Sequence, residues 1–350
     1  MIRILVFLTI FLVIGISLNL FQTNDPILTD QSKQPSNDEN LQYESEEEEL
    51  PERPTEGIST YIGGSIQSII DQFGEPDRTE LSYYGYTSFV YNNEDTYMIV
   101  GEKEGVVVMI SVAGEQTNIA PFEIGENLES VYKKYTMQPE VEFTYGDGVY
   151  RFELFENDLN IRPLLQLGDI FAQLYFDNFT GELLFVRFLD KETILLHRPY
   201  DLTYRGTLVE NDPLTDEQWT LADLASEKQI FEMTNLIRKR YSIPVVEWDE
   251  DTRNVAYNHS KEMYETETFS HVSEMSGDLS DRLRDGGIFY EMAGENIAYQ
   301  YTDSISVVSG WLNSKGHRDT FLNEQFTDLG VGVYRKYYTQ NFLKIPWDED

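Results

Sequence analysis

The segment "DLGVGVYRKYYTQNFLKIPW", residues 328–347, decides the fold of the C-terminal part of this chain. Its apolar residues alternate with small or polar ones along two runs, and this period of two predicts two strands rather than a helix. The segments before it show helical spacing instead. One begins near residue 224, a second begins near Asp249 or Asp251, which are both good N-caps, and a third is "ISVVSGWLN". Helices that flank a small sheet predict an α-β-α layering for residues 224–347.

Residues 57–200 contain an internal duplication. The segments "YIGGSIQSIIDQFGEPDR" and "FEIGENLESVYKKYTMQPEV" align so that Ile62 matches Ile124 and Gly63 matches Gly125. In each copy the apolar residues recur at helical spacing, a proline ends the helix, and runs rich in Tyr, Val and Phe follow. The pattern predicts two copies of a helix followed by three or four antiparallel strands. The many tyrosines are either core residues or a carbohydrate-stacking face.

Residues 1–22 hold an almost unbroken apolar run after Arg3. At ~1.5 Å per residue this run nearly spans a ~30 Å hydrocarbon core, and the charge bias around it favours a cytoplasmic N-terminus. We expect a single-pass signal-anchor in the cell membrane with an extracytoplasmic body; the alternative is a cleaved signal peptide and secretion. Residues 23–56 are polar, acidic and rich in proline, which predicts a disordered linker. Residues 201–223 are expected to connect the two domains.

The composition disfavours several classes of function. The 350 residues include 26 Lys+Arg against 62 Asp+Glu, and the formal net charge of -36 argues against a nucleic-acid partner. Cysteine is absent, which rules out disulfides, thiolate nucleophiles and cysteine-based zinc sites. No G-x-S-x-G segment occurs, which disfavours a serine hydrolase.

Three distant segments of the C-terminal part carry candidate functional side chains. The first contains His259 and His271, which are too far apart on one helix to share a metal as an i, i+4 pair. The second is "MAGENIAYQ" with Glu295, and the third is "GWLNSKGHRDTFL" with His317. We interpret His259 as a supporting residue within a helix and His197, at the end of the first domain, as structural.

Five motifs, "FSHVS", "AGENIA", "WLNSKGHRDTFL", "FTDLGVGV" and "YYTQNF", resemble in order and separation the bacterial members of the CAP superfamily. That superfamily includes the cysteine-rich secretory proteins, the antigen 5 allergens and the plant pathogenesis-related proteins. The resemblance covers roughly residues 225–345 and implies an α-β-α sandwich with a cleft on one side. The duplicated domain resembles the CAP-associated domain of some Gram-positive proteins. The expected fold class is therefore α+β: a membrane anchor, a duplicated helix-plus-antiparallel-meander domain, and a C-terminal CAP sandwich.

The resemblance also implies a set of cleft residues. In animal and plant members, two His and two Glu line the cleft and can hold a divalent ion. His271 and Glu295 match one residue of each kind, whereas Ser314 stands where the second Glu is expected and Tyr337 where the second His is expected. The bacterial segment "GHR" carries His317 instead, which we expect to enter the same cleft from another direction.

His271, Glu295 and His317 are thus the candidate catalytic or metal-ligating residues. Two imidazoles and a carboxylate match the ligands of a catalytic zinc site; without metal they can act as an acid–base pair or form a buried structural hydrogen bond. Arg318 either binds an anionic group or pairs with one of the many acids, and Asn296 is expected to bond the backbone. The expected cleft residues are His271, Glu295, His317, Ser314, Tyr337, Asn296 and Arg318.

The leading hypothesis is a membrane-anchored, extracytoplasmic CAP protein that works as a binding or interaction module at the cell envelope. A cell-wall or lipid fragment would occupy the cleft, and the domain at 57–200 would position the cleft or contact a protein partner. The alternatives are a metal-assisted hydrolase that uses the same cleft and an interaction protein whose cleft has no role. The incomplete set of cleft residues favours a binding or structural protein over an enzyme.

Overall fold

The computed structural model describes residues 50–93 and 96–345. The predicted anchor at 1–22, most of the predicted linker at 23–56 and the last two residues of the expected CAP domain lie outside the described residues. Within the described ranges, no helix combines the length and the apolar character that a membrane span requires.

The N-terminal half begins with a short 3-10 helix and alternates helices with antiparallel strands. Its elements are the 3-10 helix Ile58–Tyr61, α1 (Ile66–Phe73), β1 (Arg78–Leu81), β2 (Thr87–Asn93), β3 (Thr96–Lys103), β4 (Val106–Val112), α2 (Leu128–Lys134), β5 (Glu140–Tyr145), β6 (Gly148–Glu153), α3 (Glu156–Ile161), β7 (Leu164–Leu167), β8 (Ile170–Phe176), β9 (Leu183–Leu189), α4 (Lys191–His197) and β10 (Asp201–Arg205).

The C-terminal half begins with a long helix and ends with a β-hairpin. Its elements are α5 (Asp216–Arg240), β11 (Glu247–Trp248), α6 (Glu250–Thr266), α7 (Leu279–Asp285), β12 (Met292–Tyr299), α8 (Ser304–Leu312), α9 (Lys315–Phe321), β13 (Asp328–Tyr334) and β14 (Tyr337–Lys344).

The two copies of the duplicated segment fold alike where they begin. The side chains of Ser65 and Asn127 cap α1 and α2 in the same way, each accepting a hydrogen bond from the amide two residues later. Gly63 and Gly125 precede these caps with φ of 81° and 85°, a region that side chains with a Cβ rarely adopt. The residues that align in the sequence therefore build the same entry into a helix twice.

The copies then diverge in their strands. β1 to β4 join three strands of the second copy in a seven-stranded sheet of order β1-β2-β3-β4-β9-β8-β7, whereas β5 and β6 form a separate sheet with β10, in the order β10-β6-β5. Since β10 is Asp201–Arg205, the segment between the two halves is shorter than the expected 201–223. Tyr97, Tyr150 and Tyr175 are buried, so these tyrosines are core residues rather than an open carbohydrate-stacking face.

The C-terminal half is an α-β-α sandwich around a sheet of order β11-β13-β14-β12. Helix α6 approaches one face so closely that a Cβ on Gly330 or Gly332 would come within 2.2 or 1.9 Å of its backbone. Leu329, Val331 and Val333 alternate with these glycines and are buried in the large core that includes residues of α5 and α8. The glycines of "DLGVGV" thus allow the contact between the sheet and α6.

Helix α5 starts at Asp216, eight residues before the expected domain boundary at 224. A capping box explains this start, because Thr215 Oγ1 accepts from the Gln218 amide at 3.2 Å while Gln218 Oε1 accepts from the Thr215 amide at 2.9 Å. Helix α6 begins directly after Asp249, one of the two predicted N-caps.

Charged pairs cross the boundary between the two halves, which belong to one compact unit. The pairs are Arg78 with Glu232, Arg318 with Asp177, and Arg187 with Asp303. The side chain of Arg187 is fully buried, so its carboxylate partner is needed to offset the cost of removing a cation from water. These pairs hold the two halves in one orientation.

The β13–β14 turn reaches into the N-terminal half as well. Lys336 Nζ lies 4.9 and 4.5 Å from the ring centroids of Tyr83 and Tyr84 and donates a hydrogen bond of 2.9 Å to the Tyr84 hydroxyl. Burial lowers the pKa of Lys336 to about 8, although Asp303 and Asp223 oppose this shift. The turn is therefore part of the boundary between the halves.

Candidate functional site

Strand β12 sends alternate side chains to opposite faces of the C-terminal sheet. A Cβ on Gly294 would come within 2.9 Å of Thr320 in α9, and Asn296 Nδ2 donates to the carbonyl of His317, also in α9, at 3.2 Å. Glu295 lies between these two residues and faces α6 and α7. Within "AGENIA", Gly294 and Asn296 therefore face α9, whereas Glu295 faces the opposite side of the sheet.

Glu295 is the centre of a buried ionic cluster. Its Oε1 bonds Nδ1 of His271 at 3.0 Å, its Oε2 accepts from Nη2 of Arg282 at 2.6 Å, and Nε2 of His259 lies 3.9 Å from Oε1. The side chains of Glu295 and Arg282 are each 4% exposed and that of His259 is 1% exposed, whereas His271 is 53% exposed. Three buried side chains therefore support the imidazole of His271, which is itself exposed to solvent.

Helix α7 and the loop before it hold this arrangement in place. Asp278 caps α7 by accepting from the Asp281 amide at 3.1 Å, and Arg282 follows one turn after the cap. Nη1 of Arg282 donates to the carbonyls of His271 at 3.1 Å and Gly277 at 2.9 Å. One guanidinium therefore fixes both the backbone that carries His271 and the carboxylate that orients its ring.

A second carboxylate ties the same loop to α6. Glu262 accepts hydrogen bonds from the hydroxyl of Ser276 at 2.6 Å and from that of Ser273. Burial alone would raise the pKa of Glu262, but the bonds from the two serines help to lower it below its ordinary value. The loop at 271–277 is thus anchored to two helices, which makes the position of His271 well defined.

The charges of the cluster set the proton positions. Burial alone would raise the pKa of Glu295, but the bond to His271 and the charge of Arg282 outweigh burial and lower it. An ionised carboxylate can only accept, so Nδ1 of His271 donates, and Nε2 is an acceptor when the ring is neutral. Burial also lowers the pKa of His259, so this ring is neutral at pH 7 and adds no second cation.

His271 and Glu295 line an open groove of about 520 Å³. One wall is the segment Tyr290–Glu295, which includes the first half of β12, and the other is His271–Val272 together with Asp278–Ser280. Both walls carry apolar and polar groups, so the groove can take a ligand with both kinds of surface.

The structure does not bring His317 to this groove. His317 is in α9, which follows α8 after a corner at Asn313 and Ser314, and both helices pack on the face of the sheet opposite the Glu295 side chain. The prediction that His317 enters the same cleft as His271 is therefore wrong in its geometry. It failed because the sequence located the helix start but not the face of the sheet that the helix covers.

Three more of the expected cleft residues lie on that opposite side. Asn296 is fully buried and donates to the His317 carbonyl. Arg318 pairs with Asp177 of the N-terminal half at 2.8 Å, which is the salt-bridge alternative of its two expected roles. Ser314 precedes α9 at its N-cap position and makes no side-chain cap bond. None of these three lines the groove beside His271.

Tyr337 shares the face of Glu295 but lies far along the sheet. The β12–β14 register pairs Glu295 with Asn341 and Tyr299 with Tyr337. Four positions of a strand correspond to about 13 Å at ~3.3 Å per residue. Tyr337 instead stacks on Tyr299, with 5.6 Å between the ring centroids.

The donor set does not fit a zinc site formed by His271, Glu295 and His317. Within residues 50–93 and 96–345, no group of three or more His, Asp or Glu side chains is arranged to hold a metal ion. Oε2 of Glu295 already binds the guanidinium of Arg282 at 2.6 Å, and this buried cation supplies the positive charge that a divalent ion would bring. A metal ion would have to displace Arg282 or share the carboxylate with a like charge.

Arg282 is a member of this cluster that the sequence motifs alone did not indicate. The signal is present in "GDLSDRLRDGG", where Arg282 follows Leu279 by three positions and precedes Leu283. Arg282 and Leu283 are both buried, so a cation shares the apolar side of a short helix. A charged residue in such a position requires a buried partner, and Glu295 is that partner.

Comparison with known proteins agrees with this architecture. Residues 62–200 match the family described as "CAP-associated N-terminal", and residues 231–344 match the "Cysteine-rich secretory protein family". The "Uncharacterized membrane protein YlbC" of Bacillus subtilis (strain 168) is 42% identical over 313 residues, which cover 88% of this chain and 90% of that protein. The "Uncharacterized protein YkwD" of the same organism is 36% identical over 121 residues, which cover 34% of this chain and 47% of that protein.

Two solved structures share both halves of the fold. An extracellular protein containing an SCP domain from Bacillus anthracis has a TM-score of 0.80 and 43% identity, with 86% of this chain and 99% of that chain covered. A cysteine-rich secretory protein from Staphylococcus aureus has a TM-score of 0.76 and 29% identity, with 84% and 97% covered. The chain therefore belongs to the CAP, or cysteine-rich secretory protein, family, as a bacterial-type member in which a CAP-associated N-terminal domain precedes the CAP domain.

Proposed function

We propose that this protein is an extracytoplasmic binding module of the cell envelope and that its ligand occupies the groove beside His271 and Glu295. The name of the YlbC relative, a membrane protein, and that of the Bacillus anthracis neighbour, an extracellular protein, support this location. Residues 1–22 would supply the membrane anchor.

One observation carries the proposal: a half-exposed imidazole is held rigidly on the wall of a large open groove. The Glu295–Arg282 pair is buried at 4% exposure on each side, and removing two charges from water is costly. In return, such a pair holds its neighbours in a fixed position. Here the neighbour is His271, whose ring bonds Glu295 and whose carbonyl accepts from Arg282. A preorganised polar group in a mixed groove is the usual design of a binding site, because it lowers the ordering cost of association.

The same geometry favours binding over metal-assisted hydrolysis. The carboxylate that would ligate a metal is bound by Arg282, and the groove lacks the third ligand that His317 was expected to supply. His271 does form a His–carboxylate dyad, which in hydrolases orients a base toward a nucleophile. Among the described residues, however, the ring of His271 bonds the carboxylate of Glu295 and no serine or threonine hydroxyl.

The N-terminal half is proposed to position the CAP domain. Its face toward the CAP domain carries Asp177 and Arg187, whose charges are met by Arg318 and Asp303. A fixed boundary of this kind holds the groove in one orientation relative to the N-terminal half. A protein partner for residues 57–200 stays a prediction, and such a partner would use a different face of that domain.

The test is binding of the full chain to three probes. Two represent the envelope, purified peptidoglycan sacculi and phosphatidylglycerol vesicles, and the third is a random peptide library displayed on phage. His271→Ala removes the imidazole on the groove wall, and His317→Ala is the matched control because His317 lies across the sheet from the groove. We expect at least one probe to bind the wild type and the His317→Ala variant equally and to lose most of its affinity for His271→Ala. Equal binding to all three proteins, or no binding to any probe, would refute the proposal.

A further inference from the structure

The C-terminal sheet has an open edge beside the groove. β12 is the last strand in the order β11-β13-β14-β12. Its first residues, Met292 to Glu295, are partly exposed, whereas Asn296 to Ala298 are buried. Four residues of exposed strand correspond to about 13 Å of edge at ~3.3 Å per residue.

The β13–β14 hairpin determines which backbone groups face this edge. Its turn consists of Arg335 and Lys336, both with positive φ, so Tyr334 and Tyr337 close the hairpin as a hydrogen-bonded pair. In an antiparallel ladder the direction of the amide and carbonyl alternates from residue to residue. Odd-numbered residues of β14 therefore bond β13, and even-numbered residues of β14 bond β12.

The pairing of β12 with β14 determines which backbone groups of β12 are used within the sheet. Gly294 and the other even-numbered residues of β12 lie opposite even-numbered residues of β14, so their amides and carbonyls are used within the sheet. The amides and carbonyls of Ala293, Glu295 and Ile297 point away from β14, toward the outer edge of the sheet. Trp311 supports this assignment, since its Nε1 donates to the Ile297 carbonyl at 3.1 Å from outside the sheet.

Ala293 and Glu295, whose backbone groups point outward, both line the groove. Among the described residues, no backbone hydrogen bond outside the strand ladders involves either of them. An open strand edge is a template for another strand, and folded proteins normally protect such an edge or use it. Trp311 closes the edge at Ile297, which leaves the part next to His271 accessible.

The surroundings of the open edge are apolar and acidic. Val272, which lines the groove, is 61% exposed, and Met275 of the same loop and Phe289, which precedes the lining residue Tyr290, are 76% and 86% exposed. Glu274 and Asp278 are exposed in the same loop. A strand added at this edge would place its side chains alternately on the two sides of the sheet, and those on the groove side would meet Val272 and Asp278.

We propose that the groove binds an extended polypeptide segment with apolar and basic side chains, which adds to the sheet as a fifth strand hydrogen-bonded to Ala293 and Glu295. This inference rests on the proposed function and names the ligand class for the same groove. Backbone bonds to the outward groups of β12 supply affinity, and the exposed apolar and acidic groups around them supply selectivity.

The charge of the chain argues for a basic partner rather than a second copy. The formal net charge is -36, so two copies approaching edge to edge would repel each other, whereas a cationic segment would be attracted. Asp278, which lines the groove, gives this attraction a local position beside the edge.

The experiment begins with peptides selected from the phage library on the full chain, synthesised and measured by calorimetry. Ala293→Pro removes the outward amide; since that amide is not used within the sheet, proline is tolerated there as it is on edge strands. Ala293→Val is the matched control, because it adds a similar bulk and keeps the amide. We expect Ala293→Pro to weaken selected peptides at least tenfold and Ala293→Val to change their affinity less than threefold. Methylation of alternate peptide amides should weaken binding similarly, and peptide binding should protect the amides of Ala293 and Glu295 from hydrogen exchange.

The outcomes separate this inference from the proposed function. Peptides that lose affinity for His271→Ala but bind Ala293→Pro as well as the wild type would overturn the added strand and leave the groove as a binding site. Binding of sacculi or vesicles alone, with no peptide selected, would also overturn the strand and leave the proposed function standing. Self-association of the full chain that Ala293→Pro abolishes would overturn the basic partner in favour of a second copy. Circular dichroism and thermal unfolding of both variants check that a lost affinity is not a lost fold.

Discussion

Replacing Arg282 with Met leaves Glu295 buried without its cation. The side chain of Glu295 is 4% exposed, and Arg282 contributes a bond of 2.6 Å to its carboxylate as well as bonds to the carbonyls of His271 and Gly277. Removing one partner of a buried pair costs about 3–5 kcal/mol, because the remaining charge has neither water nor a counter-ion. We therefore expect the free energy of unfolding of the full chain at pH 7 to fall by about 3–5 kcal/mol for Arg282→Met.

The dependence on pH gives this prediction a second, independent signature. The folded-state pKa of Glu295 is lowered from 4.5, so its contribution to stability is present above the unfolded-state pKa and is lost as the pH falls through the folded-state pKa. The deficit of Arg282→Met should therefore be largest above about pH 5 and should shrink as Glu295 becomes protonated.

The assay is urea unfolding at pH 7 and pH 4, with Arg284→Met as the control. Arg284 stands two positions later on the same helix, and its side chain is 68% exposed beside Asp281 and Asp285. Losing these exposed pairs should change the free energy of unfolding by less than about 1 kcal/mol. If Arg282→Met costs no more than Arg284→Met, or costs the same at both pH values, the ionic cluster does not hold the site as described.

Three further perturbations test other parts of the structure. Gly332→Ala should lower the free energy of unfolding by more than about 3 kcal/mol, because the new Cβ would lie 1.9 Å from the Tyr257 backbone. Gly316→Ala is the control: nothing lies within 4 Å of its new Cβ, so thermal unfolding should show no loss of stability or a small gain. Asp177→Asn leaves the guanidinium of Arg318 without its carboxylate, so limited proteolysis should cut the chain faster than in Asp169→Asn, whose pair with Arg53 is exposed. Lys336→Met removes a group whose pKa falls from 10.5 to about 8 on folding. Because the unfolded chain binds this proton more tightly in that window, the stability of the wild type relative to Lys336→Met should rise as the pH increases from about 8 to 10.5, and a flat difference would contradict the burial of Lys336.

The layered fold of the C-terminal half was accessible from the sequence because its signals are local. The alternation in residues 328–347 specifies two strands, and Asp249 specifies the start of α6. The start of α5 at Asp216 was missed, although Thr215 and Gln218 form a capping box that the sequence displays. Domain boundaries drawn from apolar periodicity alone therefore fell inside a helix whose first turns are polar.

Some features of the candidate site could likewise be predicted from local sequence patterns, whereas others depend on how distant elements pack. The His271–Glu295 contact was expected from the resemblance, and the structure places the two side chains 3.0 Å apart. The expected grouping of Asn296 with Glu295 was avoidable, because consecutive strand residues face opposite sides of a sheet. The side on which His317 lies was not accessible, since it depends on how α8 and α9 pack after β12. Arg282 is a third case, in which the sequence shows a buried cation but not its partner.

The boundary between the halves has a consequence for how such proteins can change over evolutionary time. Each half supplies charges that the other neutralises: Asp303 and Glu232 of the CAP domain meet Arg187 and Arg78, and Arg318 meets Asp177. A gene fusion that joined this CAP domain to an unrelated neighbour would leave those charges without partners. Recombination should therefore exchange the two domains together as one cassette, because an unrelated neighbour that buried these charges would have to supply new partners for them.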